Sequence, residues 1–491
     1  MILNLHLTAV LAVPILVTLY ILRGVYRAYF HPLAKVPGPR LYAATDIPYL
    51  YYLVQGKWPH KLKKLHDQYG TAVRYTPRDV SFITAGAWKT IYGHQNNTAK
   101  NFSKDYLSYR NPKPGQSNII NAVDSDHKRM RRSLAHAFSE KALRNQEDVM
   151  RKYLDLFIEK ITEKTAKQET LDIVSWYNFT TFDLIGDLAF GEPFGCLESG
   201  GYHPWVSMIF ETIRNGVYGQ VFRRNPLFRP LAPLVVPRKL QQSLRDHQEL
   251  TRKTAMRRIE EGGTEREDFM SYILKHNDEK GLTVPEIVEN SSILIIAGSE
   301  TTATQLSGTT FQLLTNRDVY DKLVAEIRTT FSSVDEITLN SVNNLKYLLA
   351  VFDEGFRMYP PVPVGLPRIT PQGGSMIEGY WITQGTAVSV PQWSAYQSEH
   401  NWREPQRFIP ERWMDDDRFA GDARDVLQPF SIGPRNCIGR NLAYGEMRLI
   451  LTRLLWHFDL ELMDDSRNWT DQDVFTLWSK GAMNVKLTPV N

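Results

Sequence analysis

The sequence predicts a mainly α-helical protein with a minor β portion, carried behind an N-terminal transmembrane helix. Three observations lead there: an uncharged apolar run at residues 2–22, five stretches with helical apolar spacing, and only short strand-like pieces between them. Composition agrees. The 491 residues are 42% hydrophobic and 23% charged, which excludes wholesale disorder. Lys and Arg number 58 against 54 Asp and Glu, and a net charge of +4 is too small to argue for a nucleic-acid partner. With Cys196 and Cys437 as the only cysteines, a disulfide-built secreted scaffold is excluded.

The first element is residues 2–22, which contain no Asp, Glu, Lys or Arg. At about 1.5 Å per residue such a helix is about 30 Å long, the thickness of a bilayer core. Arg23, Arg27 and Lys35 follow, so the positive-inside rule places the rest of the chain on the cytoplasmic side of a single-pass anchor at 1–22. A cleaved signal peptide fits less well, because a charged n-region and a small-residue cleavage site are both missing. Pro37-Gly38-Pro39 cannot continue a helix, and residues 23–40 read as a basic, Pro-rich hinge. Residues 41–491 show no repeat, low-complexity block or long linker and read as one domain.

Within that domain the apolar spacing predicts helices at 153–162, 287–314, 320–331, 347–358 and 442–456. Thr283 with Glu286 three residues on has the form of a capping box, and Pro285 falls in the first turn, where its missing N–H is harmless. Strands are predicted at 73–75, 81–84, 381–383 and 387–390. Several chemistries are excluded. There is no Gly-x-Gly-x-x-Gly after a strand, and Gly56-Lys57 is followed by Trp58 rather than Ser or Thr. There is no His-Glu-x-x-His and no Cys-x-x-Cys, so no nucleotide, flavin, zinc or covalent c-type haem site is visible.

The most informative stretch is Phe430-Ser431-Ile432-Gly433-Pro434-Arg435-Asn436-Cys437-Ile438-Gly439. Its two glycines permit a tight turn and close approach to a flat ligand. A helix follows at once, and its dipole together with Arg435 is expected to favour the Cys437 thiolate, the form that binds metal. A lone cysteine would read as buried and inert; the whole decapeptide argues otherwise. Ala297-Gly298-Ser299-Glu300-Thr301-Thr302 puts an acid and two hydroxyls into an apolar helix, which costs stability unless they are partnered or solvated. Such hydroxyls can bond back to carbonyls, and an acid beside an alcohol can relay protons. Glu354 and Arg357 share a helical face, where a charge pair is commonly a surface ion pair of little weight. The run His127-Lys128-Arg129-Met130-Arg131-Arg132 would by itself be a solvated cationic face.

At the cysteine loop the chain resembles the cytochrome P-450 family, whose haem-binding signature Phe-x-x-Gly-x-Arg-x-Cys-x-Gly is matched in full. The resemblance implies that Cys437 is the axial thiolate of a haem b iron, favouring O–O cleavage, and that Arg435 contacts a haem propionate. It implies a structural triad of Glu354, Arg357 and Arg412, with Trp413 where the family more often has Phe. Glu300 and Thr301 match the family's acid–alcohol pair that delivers protons during oxygen activation. Arg131 matches a propionate-binding arginine, and His127 stands where the family often has Trp. Arg368 suits the basic residue on the following strand, also facing a propionate. Arg129 and Arg132 remain as cations for an acidic redox partner. Substrate-pocket walls are expected near 109–119, 296–297, 364–366 and 481–483.

The similarity runs through the whole chain, and its closer wording looks like fungal microsomal enzymes of secondary metabolism, the isotrichodermin hydroxylase group among them. This resemblance implies a monooxygenase of the endoplasmic reticulum membrane, using O2 and electrons from NADPH through NADPH–cytochrome P-450 reductase. Its substrate is expected to be a lipophilic small molecule, hydroxylated at an unactivated C–H bond. Desaturation, epoxidation, ring coupling and isomerisation are alternatives open to the same haem centre.

Overall fold

Helices dominate the computed structural model, which describes residues 2–95, 101–262, 268–275, 277 and 281–490. The expected helices form as Glu147–Thr165, Val284–Thr315, Arg317–Thr330, Lys346–Met358 and Arg440–His457. The expected strands form as Ala72–Arg74, Asp79–Phe82, Tyr380–Ile382 and Ala387–Ser389. Val284–Thr315, here the long helix, starts on a complete capping box: the Glu286 N–H donates to the Thr283 hydroxyl, and the Thr283 N–H donates to the Glu286 carboxylate at 2.9 Å. It packs along Ile173–Phe190, and Gly298 permits the approach. A Cβ at that position would lie 2.8 Å from Ile185 Cδ1.

A five-stranded sheet runs in the order Ala72–Arg74, Asp79–Phe82, Ala387–Ser389, Arg368–Ile369, Ser103–Lys104. Its register sets Arg368 opposite Val388 on one side and opposite Lys104 on the other. The segment read as a hinge is fastened to this sheet. Leu33 is fully buried, and the Arg74 N–H donates to the Pro37 carbonyl at 2.7 Å. The Arg74 guanidinium reaches back to the Arg27 carbonyl at 2.8 Å. The uncharged N-terminal run lies in the helix Ile2–Val25, whose side chains are described from Pro14 onward. Among the described residues no helix is long and apolar enough to cross a membrane.

The Glu354–Arg357 pair is not on the surface. Glu354, Arg357 and Arg412 are all 0% exposed. Glu354 accepts from Arg357 Nε and Nη2, both at 2.8 Å, from Arg412 Nε at 3.1 Å and from the Ile409 N–H at 2.9 Å. The Trp413 indole N–H donates to the same carboxylate at 3.0 Å, a bond that Phe could not make. Asp422, which nothing in the sequence singled out, pairs with Arg412 and brings the cluster to two acids and two arginines. Arg357 also donates to the Tyr396 carbonyl at 3.0 Å, and the Tyr396 hydroxyl accepts from the Gln428 N–H at 2.8 Å, where the cysteine loop begins. Phe356 packs on Phe430 with ring centroids 5.3 Å apart.

Buried charges are tolerated when each keeps its partners, and removing one strands the rest. Glu354→Ala should therefore cost about 3–5 kcal/mol of stability in denaturant titration, with loosening of the cysteine loop.

Candidate active site

The cysteine loop is shaped by its own backbone. Phe430 accepts from the Cys437 N–H at 2.8 Å, and a 3-10 turn, Gly433–Arg435, lies between them. Gly433 has φ +74°, and a Cβ there would strike the Tyr92 carbonyl, so the turn requires glycine. Gly439, the second glycine, has φ −87°, and a Cβ there would meet Phe138 at an ordinary 3.8 Å. Its expected necessity is therefore not imposed by the backbone. Cys437 lies three residues ahead of the helix Arg440–His457 and lines a cavity between this loop and the long helix. Phe430, Cys437, Ile438 and Leu442 face Leu294, Ala297, Gly298 and Thr301 across it.

The expectation that Arg435 promotes the thiolate is corrected. Burial pushes the Cys437 thiol up, and the Gly439 N–H, Arg131 and Arg440 pull it partly back. Arg435 is turned away by the Gly433–Arg435 turn. It donates to Asp124 at 2.6 Å and to the Ala122 carbonyl at 2.8 Å.

Four cations line the cavity: Lys104, Arg131, Arg368 and Arg435. Arg131 braces the loop, donating to the Asn436 carbonyl and side-chain oxygen, each at 2.5 Å. Arg368 and Arg435 each keep a buried Nη1 with no partner among the described residues. Lys104 carried no sequence signal; pairing of two strands places it directly opposite Arg368. Like charges so placed repel. Burial, then Arg368 and Arg435, hold the Lys104 ammonium well below its usual range. Burial first, then Arg435, Arg131 and Lys104, push His127 down to about 3, so it brings an imidazole and no charge. Arg129, expected to face a redox partner, instead donates to Glu286 at 2.6 and 2.9 Å.

This lining fits haem. Among the described residues no cluster of His, Cys, Asp or Glu could hold a bare metal ion. One sulfur aimed into an apolar cavity is instead the donor set for an iron already held by a macrocycle. The two unpartnered guanidinium nitrogens and Lys104 suit its two propionate groups.

The long helix presents two neighbouring residues to different places. Thr301 lines the cavity, its hydroxyl donating to the Ala297 carbonyl at 2.5 Å. Glu300 does not line it; its carboxylate pairs with Lys480, and no hydrogen bond joins it to Thr301 among the described contacts. Thr302 and Glu446, the latter missed in the sequence, also line the cavity. Burial pushes the Glu446 carboxyl up to about 8, which the Thr302 hydroxyl only partly offsets. Of the expected pocket walls, Tyr109, Ile119, Ala297 and Leu366 line this cavity, whereas Gly481 and Ala482 line another.

Comparison with known proteins agrees with this geometry. The family model described as cytochrome P-450 matches residues 43–484. The chain is 46% identical, over 96% of its length and 95% of the relative's, to the cytochrome P-450 monooxygenase astA of Talaromyces wortmannii. It is 45% identical, over 97% of both chains, to the cytochrome P-450 monooxygenase aclL of Aspergillus oryzae. It is 44% identical to the trichothecene C-4 hydroxylase of Trichoderma arundinaceum, over 95% of this chain and 94% of that one.

Lys104→Met should relieve repulsion with Arg368 and raise the melting temperature of the haem-free protein. The same change should weaken haem binding about 10- to 100-fold in titration of that protein, the loss of one charged hydrogen bond.

Proposed function

We propose, for a chain that belongs to the cytochrome P-450 family of haem-thiolate monooxygenases, that its reaction is hydroxylation of an unactivated C–H bond in a lipophilic secondary metabolite. The observation that carries this reading is the placement of Cys437 and Thr301 on opposite walls of one apolar cavity rimmed by cations. Haem supplies the oxygen-activating chemistry, with O2 and reductase-delivered electrons as its inputs. Cys437 would ligate the iron; Lys104, Arg368 and Arg435 would hold the propionates, and His127 can add an uncharged N–H.

The remaining steps belong to the chain's own groups. Ile119, Leu294, Ala297, Val362 and Leu366 give the cavity an apolar wall that binds a lipophilic substrate and excludes bulk water. Inserting one oxygen atom of O2 and reducing the other to water consumes two electrons and two protons. The Thr301 hydroxyl, held by Ala297, faces the cavity as a proton-carrying group beside Thr302 and Glu446, and Glu300 precedes it on the same helix. Hydroxylation is favoured by the hydroxylase among the relatives, and the acid–alcohol sequence at Glu300 and Thr301 favours an oxygen-activating reaction over isomerisation.

We place the catalytic body on the cytoplasmic face of the endoplasmic reticulum, anchored by residues 1–22, with NADPH–cytochrome P-450 reductase as partner. The support is the uncharged run followed by Arg23, Arg27 and Lys35. Exposed apolar side chains add to it: Ile15, Leu16, Leu19 and Leu22 on the first helix, and Leu227 and Leu234 far along the chain, the last two 91% and 84% exposed.

The test is turnover under labelled O2 with reductase and NADPH, using extracts of a producing host as substrate source. An alcohol with one labelled oxygen is expected; a labelled epoxide would point to epoxidation, and a product without label to desaturation, ring coupling or isomerisation. Thr301→Ala should lower coupled turnover about 100-fold and divert electrons to hydrogen peroxide, read from peroxide released per NADPH. Unchanged coupling would remove Thr301 from the proton path.

A further inference from the structure

Lys104 borders two spaces: the cavity beside Cys437 and a separate groove of about 410 Å³. Arg78, Arg223 and Arg229 also line the groove. Arg229 is exposed and the Arg78 side chain is 32% exposed, so solvent reaches them. Asp105 is the single acid of this lining among the described residues, and its carboxylate is fully engaged. It accepts from Arg78 Nη2 at 2.7 Å, from the Ser108 hydroxyl at 2.8 Å and from the Leu107 N–H at 3.3 Å. Arg223 donates from Nε and Nη2 to the carbonyls of Leu107 and Ser108, at 3.2 and 3.1 Å, and bonds no carboxylate among the described residues. The Arg229 side chain has no partner among the described residues. Positive charge is therefore left over in an open groove.

Two of these arginines are fixed by a buried ion pair. Arg224 follows Arg223, Asp79 follows Arg78, and Arg224 donates to both Asp79 oxygens, at 2.8 and 2.6 Å. The pair pins the end of the helix Pro204–Arg224 to the strand Asp79–Phe82, which holds Arg78 and Arg223 in place without using either. Guanidinium groups preset in this way suit the oxygens of a phosphate, which they can meet in pairs. The surroundings of Arg229 indicate whose phosphate. It lies in the turn Pro226–Leu231, between Leu227 and Leu231, which are 91% and 48% exposed, and Leu234 follows at 84%. A cation among exposed leucines belongs at the boundary between acyl chains and headgroups, with the leucines in the hydrocarbon and the guanidinium level with the charged layer.

We propose that this groove binds the phosphate headgroup of an anionic phospholipid, held by Arg78, Arg223 and Arg229. The inference rests on the membrane placement proposed above and adds to it a lipid selected by its charge at a defined point of the catalytic body. A soluble phosphate ester offers the same oxygens but leaves Leu227 and Leu234 in water. A lipid satisfies both, because its acyl chains join the bilayer that receives the leucines while its phosphate answers the arginines.

The test reconstitutes the full chain, loaded with haem, in phosphatidylcholine nanodiscs containing phosphatidic acid as a minor component. Native mass spectrometry then reads which lipid stays bound on release. The parent should retain a single phosphatidic acid in preference to phosphatidylcholine. Arg223→Gln/Arg229→Gln should lower that preference about 10-fold, the loss expected for charged hydrogen bonds, while unchanged haem content shows that the variant is folded. Arg229→Gln alone, at an exposed site, should lower it in the same direction, and Arg229→Lys should keep most of it. Arg467→Gln, which removes an exposed arginine outside the groove, should leave it unchanged. Equal retention of the two lipids by the parent, or a parental preference in both glutamine variants, overturns the proposal. So does tighter binding of inorganic phosphate than of dioctanoyl phosphatidic acid, which would assign the groove to a soluble anion. A parent that does not enter nanodiscs would defeat the membrane placement, and titration with monomeric dioctanoyl phosphatidic acid would still judge the arginine groove.

Discussion

An excess of buried positive charge organises this molecule. The cavity beside Cys437 is walled by Lys104, Arg131, Arg368 and Arg435, and Glu446, the single acid in that wall among the described residues, is pushed up to about 8 by burial. Asp124 answers Arg435 from outside the lining, and the Asn436 oxygens answer Arg131. Lys104 and Arg368 face each other across two strands with no carboxylate between them. A protein keeps such an arrangement when an anionic partner completes it, because uncompensated charge in a low-dielectric interior is costly. Haem, with two carboxylates and an iron that takes a thiolate, is that partner.

The scaffold treats its other buried charges differently. Glu354, Arg357, Arg412 and Asp422 neutralise one another and satisfy carbonyls of five further residues, and Tyr396 carries their rigidity to the start of the cysteine loop. Arg224 and Asp79 form a second closed pair, at 2.6 Å with both side chains buried. Balanced clusters hold elements together, whereas the unbalanced one marks a site. The long helix borders two spaces: Thr301 lines the apolar cavity beside Cys437, and Glu300 lines a second one beside Lys480.

Local signals were legible in the sequence. The capping box at Thr283 and Glu286, the glycine turn before Cys437 and the amphipathic helices depend on neighbours a few residues apart. The helix Ile173–Phe190 was not, because burial on nearly every side removes the apolar periodicity. Its acids are partnered inside the fold: Asp183 accepts from the Cys196 and Leu197 N–H groups and Asp187 from the Tyr153 hydroxyl. Lys104 acquires meaning only through strand pairing with Arg368, and Lys480 only through a contact 180 residues away in sequence. Arg435 shows the converse error. Two positions from Cys437 in sequence, it is carried by the intervening turn towards Asp124.

The bond from the Cys437 sulfur to iron is the claim on which the functional reading depends. The reduced, carbon monoxide-bound spectrum of the purified full-length protein, compared with Cys437→Ser, tests it most directly. A strongly red-shifted Soret band in the parent and its loss in the serine protein are expected. A parent that stays colourless after growth with ample haem precursor, or a band that survives the substitution, would contradict it.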